Sequence, residues 1–257
     1  MVGTFLGVRP YSGDFYNTGR ETFLLPVEWK EAWPRITRPG ETIPWSHAAP
    51  RLPRPPAPRV PTSGAFTVRE EFEGRRLPAY WMMMRNPREP WYALSNGALE
   101  LRARPVGLGD FANPSLLARR QQHLYASATT RVRLRSRGRP QQAGLVAIQN
   151  DDFWYFLALV ESGGCSRVTL YRRAGGAIAR LASAPLPMVA GGPVDLRIDA
   201  RGGIYDFEYA THPGKWRPLR RNEDGTMLST KAAGGFVGRR RASPRSRVRI
   251  RPLERLH

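Results

Sequence analysis

A period of two is the strongest constraint in this sequence. From Ser127 to Arg135 the odd positions are polar: Ser127, Thr129, Arg131, Arg133 and Arg135. The even positions, Ala126 to Leu134, are small or apolar. Successive side chains of a strand point to opposite faces, so this pattern predicts a strand with one wet face. A turn follows at Arg137-Gly138-Arg139-Pro140, and Ala143 to Ile148 is then apolar throughout. After Asn150-Asp151-Asp152 comes Phe153 to Val160, apolar at all eight positions and aromatic at four. Two such runs joined by a turn predict central strands covered on both faces. Asn113 to Val160 therefore reads as the middle of an antiparallel β-domain.

The same period recurs from Phe66 onward. Asn96-Gly97 lies between Trp91–Leu94 and Leu99–Arg102, a strong hairpin signal. Val168 and Leu170 alternate with polar neighbours, as do Val194, Leu196 and Ile198. A Gly202-Gly203 turn then leads to Tyr205, Phe207 and Tyr209. Many short strands without an amphipathic helix predict an all-β chain, an antiparallel β-sandwich or jelly roll. The first 33 residues hold two strand-like pieces, Thr4–Val8 and Glu21–Trp29. Two strands alone do not make a domain, so this piece requires a partner sheet. Pro34 to Pro61 carries nine prolines and no apolar period, which predicts a stiff, irregular linker. Beyond Gly238 the alternation is brief, at Val248 and Ile250 only.

A net charge of +20 raises the question of nucleic acid. Only three of the 41 basic residues are lysines, however, and arginine accompanies abundant Ala, Gly and Pro, which points to a coding bias. The charge is also concentrated, with eight arginines in the last nineteen residues. That segment reads as a solvated tail, as an RNA-binding arm or as the product of a shifted reading frame. Nucleic acid is accordingly the weaker expectation. The one cysteine, Cys165, excludes an internal disulfide framework and a cysteine-rich zinc site. No run reaches the ~18 apolar residues of a membrane span. Met1 to Pro10 lacks the features of a signal peptide, so a cytoplasmic location is the expectation and a membrane partner is not.

Four stretches carry a family resemblance. NTGRETFLLPVEW, Asn17 to Trp29, resembles the last propeller segment of glycoside hydrolase family 43 β-xylosidases, which also act as α-L-arabinofuranosidases. PSLLARRQQH, Pro114 to His123, resembles a motif of their C-terminal β-sandwich, and QQAGLVAIQNDDFWYFLAL continues the likeness. AGGFVG, Ala233 to Gly238, resembles a glycine-rich segment near the family's C-terminus. The resemblance implies the last strands of an incomplete five-bladed propeller over 1–33, a linker over 34–64, a concanavalin-like sandwich over 65–238 and an arginine-rich tail over 239–257.

Inverting glycoside hydrolysis requires two carboxyl groups about 6.5–9.5 Å apart, one an acid and one a base. In the family these come from earlier blades that nothing here matches, so no catalytic residue is assigned. Asp14 lies in a polar loop, and Glu21 reads as the partner of a basic neighbour in its sheet. The resemblance implies that Arg20 faces the sugar pocket and that Phe236 closes one of its walls. A planar guanidinium suits a vicinal diol, whereas the plainer alternatives are an ion-paired arginine and a core phenylalanine. Arg119, Arg120, Gln121, Gln122 and His123 read as a structural motif that satisfies buried backbone or holds a domain interface. Trp154, Tyr155 and Phe156 read as core before they read as a sugar platform. The nucleophile-elbow, P-loop and HExxH patterns are absent from the sequence, and no metal or cofactor is expected.

The expectation is thus a C-terminal portion of a β-xylosidase-like enzyme, inactive as it stands. The partners implied are the missing propeller, in the same gene or a separate chain, and a xylo-oligosaccharide or arabinoside in the parent enzyme. The alternatives are a non-catalytic carbohydrate-binding sandwich and an arginine-rich nucleic-acid-binding protein.

Overall fold

Most of the alternating stretches form paired strands. The structure, a computed structural model, describes residues 1–44, 46–49, 51, 53, 56, 58, 60, 61, 64–135, 140–187, 191–234 and 247–251. The chain divides into two units. Met1–Arg9 and Gly19–Val68 make the first; Pro10–Thr18 joins the chain from Arg69 onward in the second.

In the first unit β1 (Val2–Gly7) pairs with β2 (Glu21–Pro26), and β3 (Glu28–Lys30) pairs with β4 (Trp33–Arg35). The predicted single strand over Glu21–Trp29 is thus broken at Val27. Phe5 and Phe23 stack on one face of the first hairpin, 5.5 Å between ring centroids, and Leu25 is buried. The other face shows Val2, Leu6 and Leu24 to solvent, with Leu6 65% exposed. Beyond β4 the described residues contain no helix or strand before Met82, including Phe66 to Trp81, where the sequence suggested short strands. Phe72 instead adopts a positive φ of 55° and is buried against Trp81.

The second unit begins its strands with β5 (Met82–Met83), β6 (Tyr92–Leu94), β7 (Leu99–Arg102) and β8 (Leu117–Ala118). The long strands follow: β9 (Tyr125–Leu134), β10 (Gln141–Asn150), β11 (Phe153–Ser162), β12 (Cys165–Ala174) and β13 (Ala179–Leu186). After them come β14 (Val194–Arg201), β15 (Ile204–Ala210), β16 (Arg217–Asp224) and β17 (Arg247–Arg251). A four-stranded sheet runs β10-β11-β12-β13, and a seven-stranded sheet runs β16-β15-β14-β9-β17-β7-β6. Every pairing is antiparallel. The Asn96-Gly97 hairpin forms as expected, both residues at positive φ. Within the arginine-rich segment, the alternating Val248 and Ile250 lie in β17, between β9 and β7. The turn expected at Arg137-Gly138-Arg139 falls outside the described residues.

The fold is a concanavalin-like β-sandwich because the apolar half of each alternation meets its counterpart between the sheets. Val132, Leu134, Leu196, Ile198, Tyr205 and Phe207 come from the larger sheet, and Tyr155, Leu157, Leu159, Val168 and Leu170 from the smaller. Tyr155 and Phe207 meet with ring centroids 5.1 Å apart. Burial of a large apolar side chain contributes about 1.5–3 kcal/mol, so these residues dominate the fold's stability. The polar half of the alternation is ordered as well. Arg131 grips the buried Asp195 with two hydrogen bonds of 2.7 and 3.0 Å, and Arg197 bonds Glu208 at 2.9 Å. Opposite charges facing one another across neighbouring strands fix the register from the outer face.

Candidate functional site

Residues 10–18 lie between β1 and β2 in sequence, yet they pack with the sandwich. This strap begins with a 3-10 turn at Ser12–Asp14, closed by the Tyr11 N–H donating to Phe15 O at 2.8 Å. Gly13 and Asp14 both have positive φ, so the turn reverses the chain tightly. The Tyr16 N–H donates to Ser229 Oγ at 2.8 Å, and the Asn17 side-chain amide donates to Gly225 O at 2.8 Å. From the short helix α1 (Thr230–Ala233), Lys231 donates to Gly13 O at 2.7 Å and lies 5.2 Å from the Phe15 ring centroid.

Close backbone approach makes this docking possible. A Cβ on Gly203 would stand 2.9 Å from the Tyr11 ring, and one on Gly225 would stand 2.3 Å from the Tyr205 ring. Both positions therefore require glycine if the rings are to stay where they are. Tyr11 OH donates to Asn17 Oδ1 at 2.8 Å. Burial, reinforced by Tyr205 and Asp224, pushes the Tyr11 phenol up to about 12. Burial raises the Tyr205 phenol too, while its hydrogen bonds to Asn17 and Gln121 oppose the rise.

The motif Arg119–His123 reaches this strap through Gln121. Tyr205 OH donates to Gln121 Oε1 at 2.9 Å and accepts from Asn17 Nδ2 at 3.4 Å. Gln121 Nε2 donates to His123 O at 2.8 Å, which holds the amide in place. Arg119 stacks on the Tyr80 ring at 4.6 Å, Arg120 is exposed, and Gln122 and His123 are half-buried. Gln121 is thus the member of the motif that sequence alone could not single out. Asn17, Tyr205, Ser229 and Lys231 were not singled out either, because their proximity spans about two hundred residues of chain. Only the position of Asn17, just ahead of the Gly-Arg-Glu-Thr segment, offered a sequence signal.

Gly19 and Arg20 follow the strap directly and belong to the first unit. Arg20 is exposed and pairs with no carboxylate among the described residues. Glu21 is taken by Arg9, with hydrogen bonds of 2.6 and 2.7 Å, as its sequence context suggested. Asp14 has an 87% exposed side chain and faces Lys231 at 3.6 Å. Neither carboxylate is posed as half of a hydrolytic pair. Phe236 lies outside the described residues. Trp154 and Tyr155 are buried, and Phe156 is half-buried against Tyr171.

Residues 69–242 match the family described as the β-xylosidase C-terminal concanavalin A-like domain. A non-reducing end α-L-arabinofuranosidase from Bacteroides ovatus is 30% identical over 238 residues, 91% of this chain and 42% of that protein. A xylosidase/arabinosidase from Butyrivibrio fibrisolvens is 25% identical over 91% of this chain and 44% of its own length. Among solved structures, a GH43_12 protein from a capybara gut metagenome superposes with a TM-score of 0.80 and 28% identity, covering 98% of this chain and 47% of that one. The chain spans less than half the length of these curated relatives.

Proposed function

We propose, from the premise that this chain belongs to the β-xylosidase C-terminal concanavalin A-like domain family, that its sandwich supports the catalytic body of a glycoside hydrolase. The parent reaction is hydrolysis of a terminal xylose or arabinose from a short oligosaccharide. The names of the curated relatives, an arabinofuranosidase and a xylosidase/arabinosidase, support this substrate class. The hairpin β1–β2 acts as the end of a propeller blade. Its exposed Val2, Leu6 and Leu24 and its lack of any further paired strand among the described residues support that reading.

One observation carries the proposal: the strap held by Gln121, Tyr205, Gly225 and Ser229 runs within three residues into Arg20. Arg20, exposed and without a carboxylate partner among the described residues, hydrogen-bonds the hydroxyls of the terminal sugar. For Phe236, outside the described residues, the family resemblance implies a pocket wall in the parent enzyme. The sandwich is then a positioning device, and the chain by itself is inactive. Of the rings considered as a sugar platform, Trp154 and Tyr155 are buried.

The test is complementation. The Bacteroides ovatus relative, cut back before its region of similarity, is mixed with this chain and assayed on chromogenic arabinofuranoside and xyloside. Hydrolysis restored by the wild-type chain, and lost with Arg20→Ala, is the expected result. Turnover by this chain alone above a mock preparation would overturn its inactivity. A mixture that stays inactive while the two pieces co-purify would remove Arg20 from the pocket.

A further inference from the structure

The outer face of the four-stranded sheet carries a feature that neither the strap nor the core uses. Across β11, β12 and β13, Ala158, Thr169 and Ser183 lie in direct register. Ala158 and Thr169 are buried, and Ser183 is the exposed member of the row. Thr169 Oγ1 and Ser183 Oγ share a hydrogen bond of 3.0 Å, which fixes the Ser183 hydroxyl. At Ser183 the surface opens into a depression of about 350 Å³ lined by Arg167, Arg180, Leu181, Ala182 and Ser183. Arg167 stands opposite Pro185, two residues to one side of Ser183, and Arg180 stands opposite Tyr171 on the other side. Both arginines are exposed, and neither has a carboxylate partner among the described residues.

Several other arginines on this sandwich are committed to acids, as in Arg131–Asp195, Arg173–Asp152 and Arg201–Asp206. Two uncommitted guanidiniums flanking a hydroxyl-lined hollow are complementary to an anion. We propose that this depression binds the carboxylate of an acidic sugar within an oligosaccharide, with Arg167 and Arg180 taking the carboxylate and Ser183 taking a ring hydroxyl. The size of the hollow suits one or two sugar rings, at the lower end of the usual range for ligand sites. Two cations at the ends of one hollow are too few for the spaced phosphate contacts of a nucleic-acid strand. The choice of a saccharide rests on the glycosidase reading above; the choice of an anion rests on the arginines alone. Bound there, an acid-decorated oligosaccharide is tethered to the supporting domain rather than to the catalytic pocket.

The experiment is isothermal titration of the whole chain with four probes: a glucuronic-acid-decorated xylo-oligosaccharide, its neutral counterpart, inorganic phosphate and a short DNA duplex. The decorated sugar is expected to bind at least ~10-fold more tightly than the neutral one, with Arg167→Ala and Arg180→Ala each losing ~10-fold. Arg120→Ala, at an exposed arginine in the irregular segment after β8, is expected to leave this binding unchanged. Equal binding of decorated and neutral sugars overturns the proposal, as does binding that survives both substitutions. Phosphate or DNA binding with equal or greater affinity at the same two arginines also overturns it, showing an anion site without sugar recognition. All of these outcomes leave the complementation test of Arg20 unaffected, so the two readings fail separately.

Discussion

Tyr205 donates its phenolic hydrogen to Gln121 Oε1 at 2.9 Å while its own hydroxyl oxygen accepts from Asn17 Nδ2 at 3.4 Å. One buried hydroxyl thereby joins three segments that are distant in sequence. Tyr205→Phe leaves the Gln121 oxygen without this donor in a largely buried setting, a loss expected to cost about 1–3 kcal/mol. A lower denaturant midpoint at unchanged slope measures it. Amide exchange at Tyr16, bonded to Ser229, should accelerate more than exchange at Tyr155 in the core. Equal acceleration at both sites would count against a specific hold on the strap.

Gly225→Ala should act through the same residue. The added methyl would lie 2.3 Å from the Tyr205 ring, so the ring must move. Overpacking of this kind is expected to cost about 1–3 kcal/mol. Combining it with Tyr205→Phe should give less than the sum of the single effects, because both changes disturb one ring.

The pair Arg131–Asp195 offers a different signature. Asp195 is 3% exposed and both its carboxylate oxygens accept from Arg131. Arg131→Met alone leaves that buried charge without its strongest partner and should cost about 3–5 kcal/mol. The double change Arg131→Met with Asp195→Leu should be close to neutral. Thermal melts of the three variants decide it; a double variant as unstable as Arg131→Met would refute the account.

Core truncation should be severe at Phe207, which is fully buried against Tyr155. Phe207→Ala is expected to cost about 3–5 kcal/mol through lost burial and the cavity left behind. Phe156→Ala, half-buried on the outer face, should cost less in the same measurement.

Stability should fall at both ends of the pH scale for separate reasons. Burial pushes the Tyr155 and Tyr11 phenols up to about 12, each modified by neighbouring charges. An unfolded tyrosine ionises near ~10, so the folded chain holds these protons more tightly. Their stabilisation is complete below pH ~10 and is lost as the pH rises to about 12. At the acid end, burial would raise the Asp206 carboxyl, but Arg201, the Asn222 N–H and Arg221 outweigh it and hold the group below its ordinary value. Its contribution is present above the ordinary carboxylate range and lost as the pH falls through the lowered folded value. Tyrosinate absorbance followed beside circular dichroism tests the alkaline limb, where ionisation and unfolding should coincide. For the acid limb, Asp206→Asn should flatten the decline.

Much of the sandwich was legible in the sequence because a strand's side-chain period is local. Val132 and Leu134 faced inward as their even positions required, and Asn96-Gly97 turned where its positive φ values allowed. Phe66 to Trp81 was misread because its alternation is interrupted by local bonds that favour irregular backbone. Glu70 accepts from the Phe72 N–H and from Tyr80 OH, taking the residues out of any ladder. The motif Arg119–His123 was visible, but which of its residues mattered was not. Gln121 takes its place through Tyr205, eighty-four residues away.

By itself, then, the sequence determined the all-β class, the strands and hairpins of the sandwich and the family resemblance. Each of these depends on residues within a few positions of one another. Tertiary structure alone decided that Pro10–Thr18 belongs with the sandwich, that Asn17, Tyr205 and Gln121 form one hydrogen-bonded chain, and that Arg167 and Arg180 flank a common hollow. Such relationships arise from strand order and sheet packing, which bring together side chains whose separation along the chain carries no period to read.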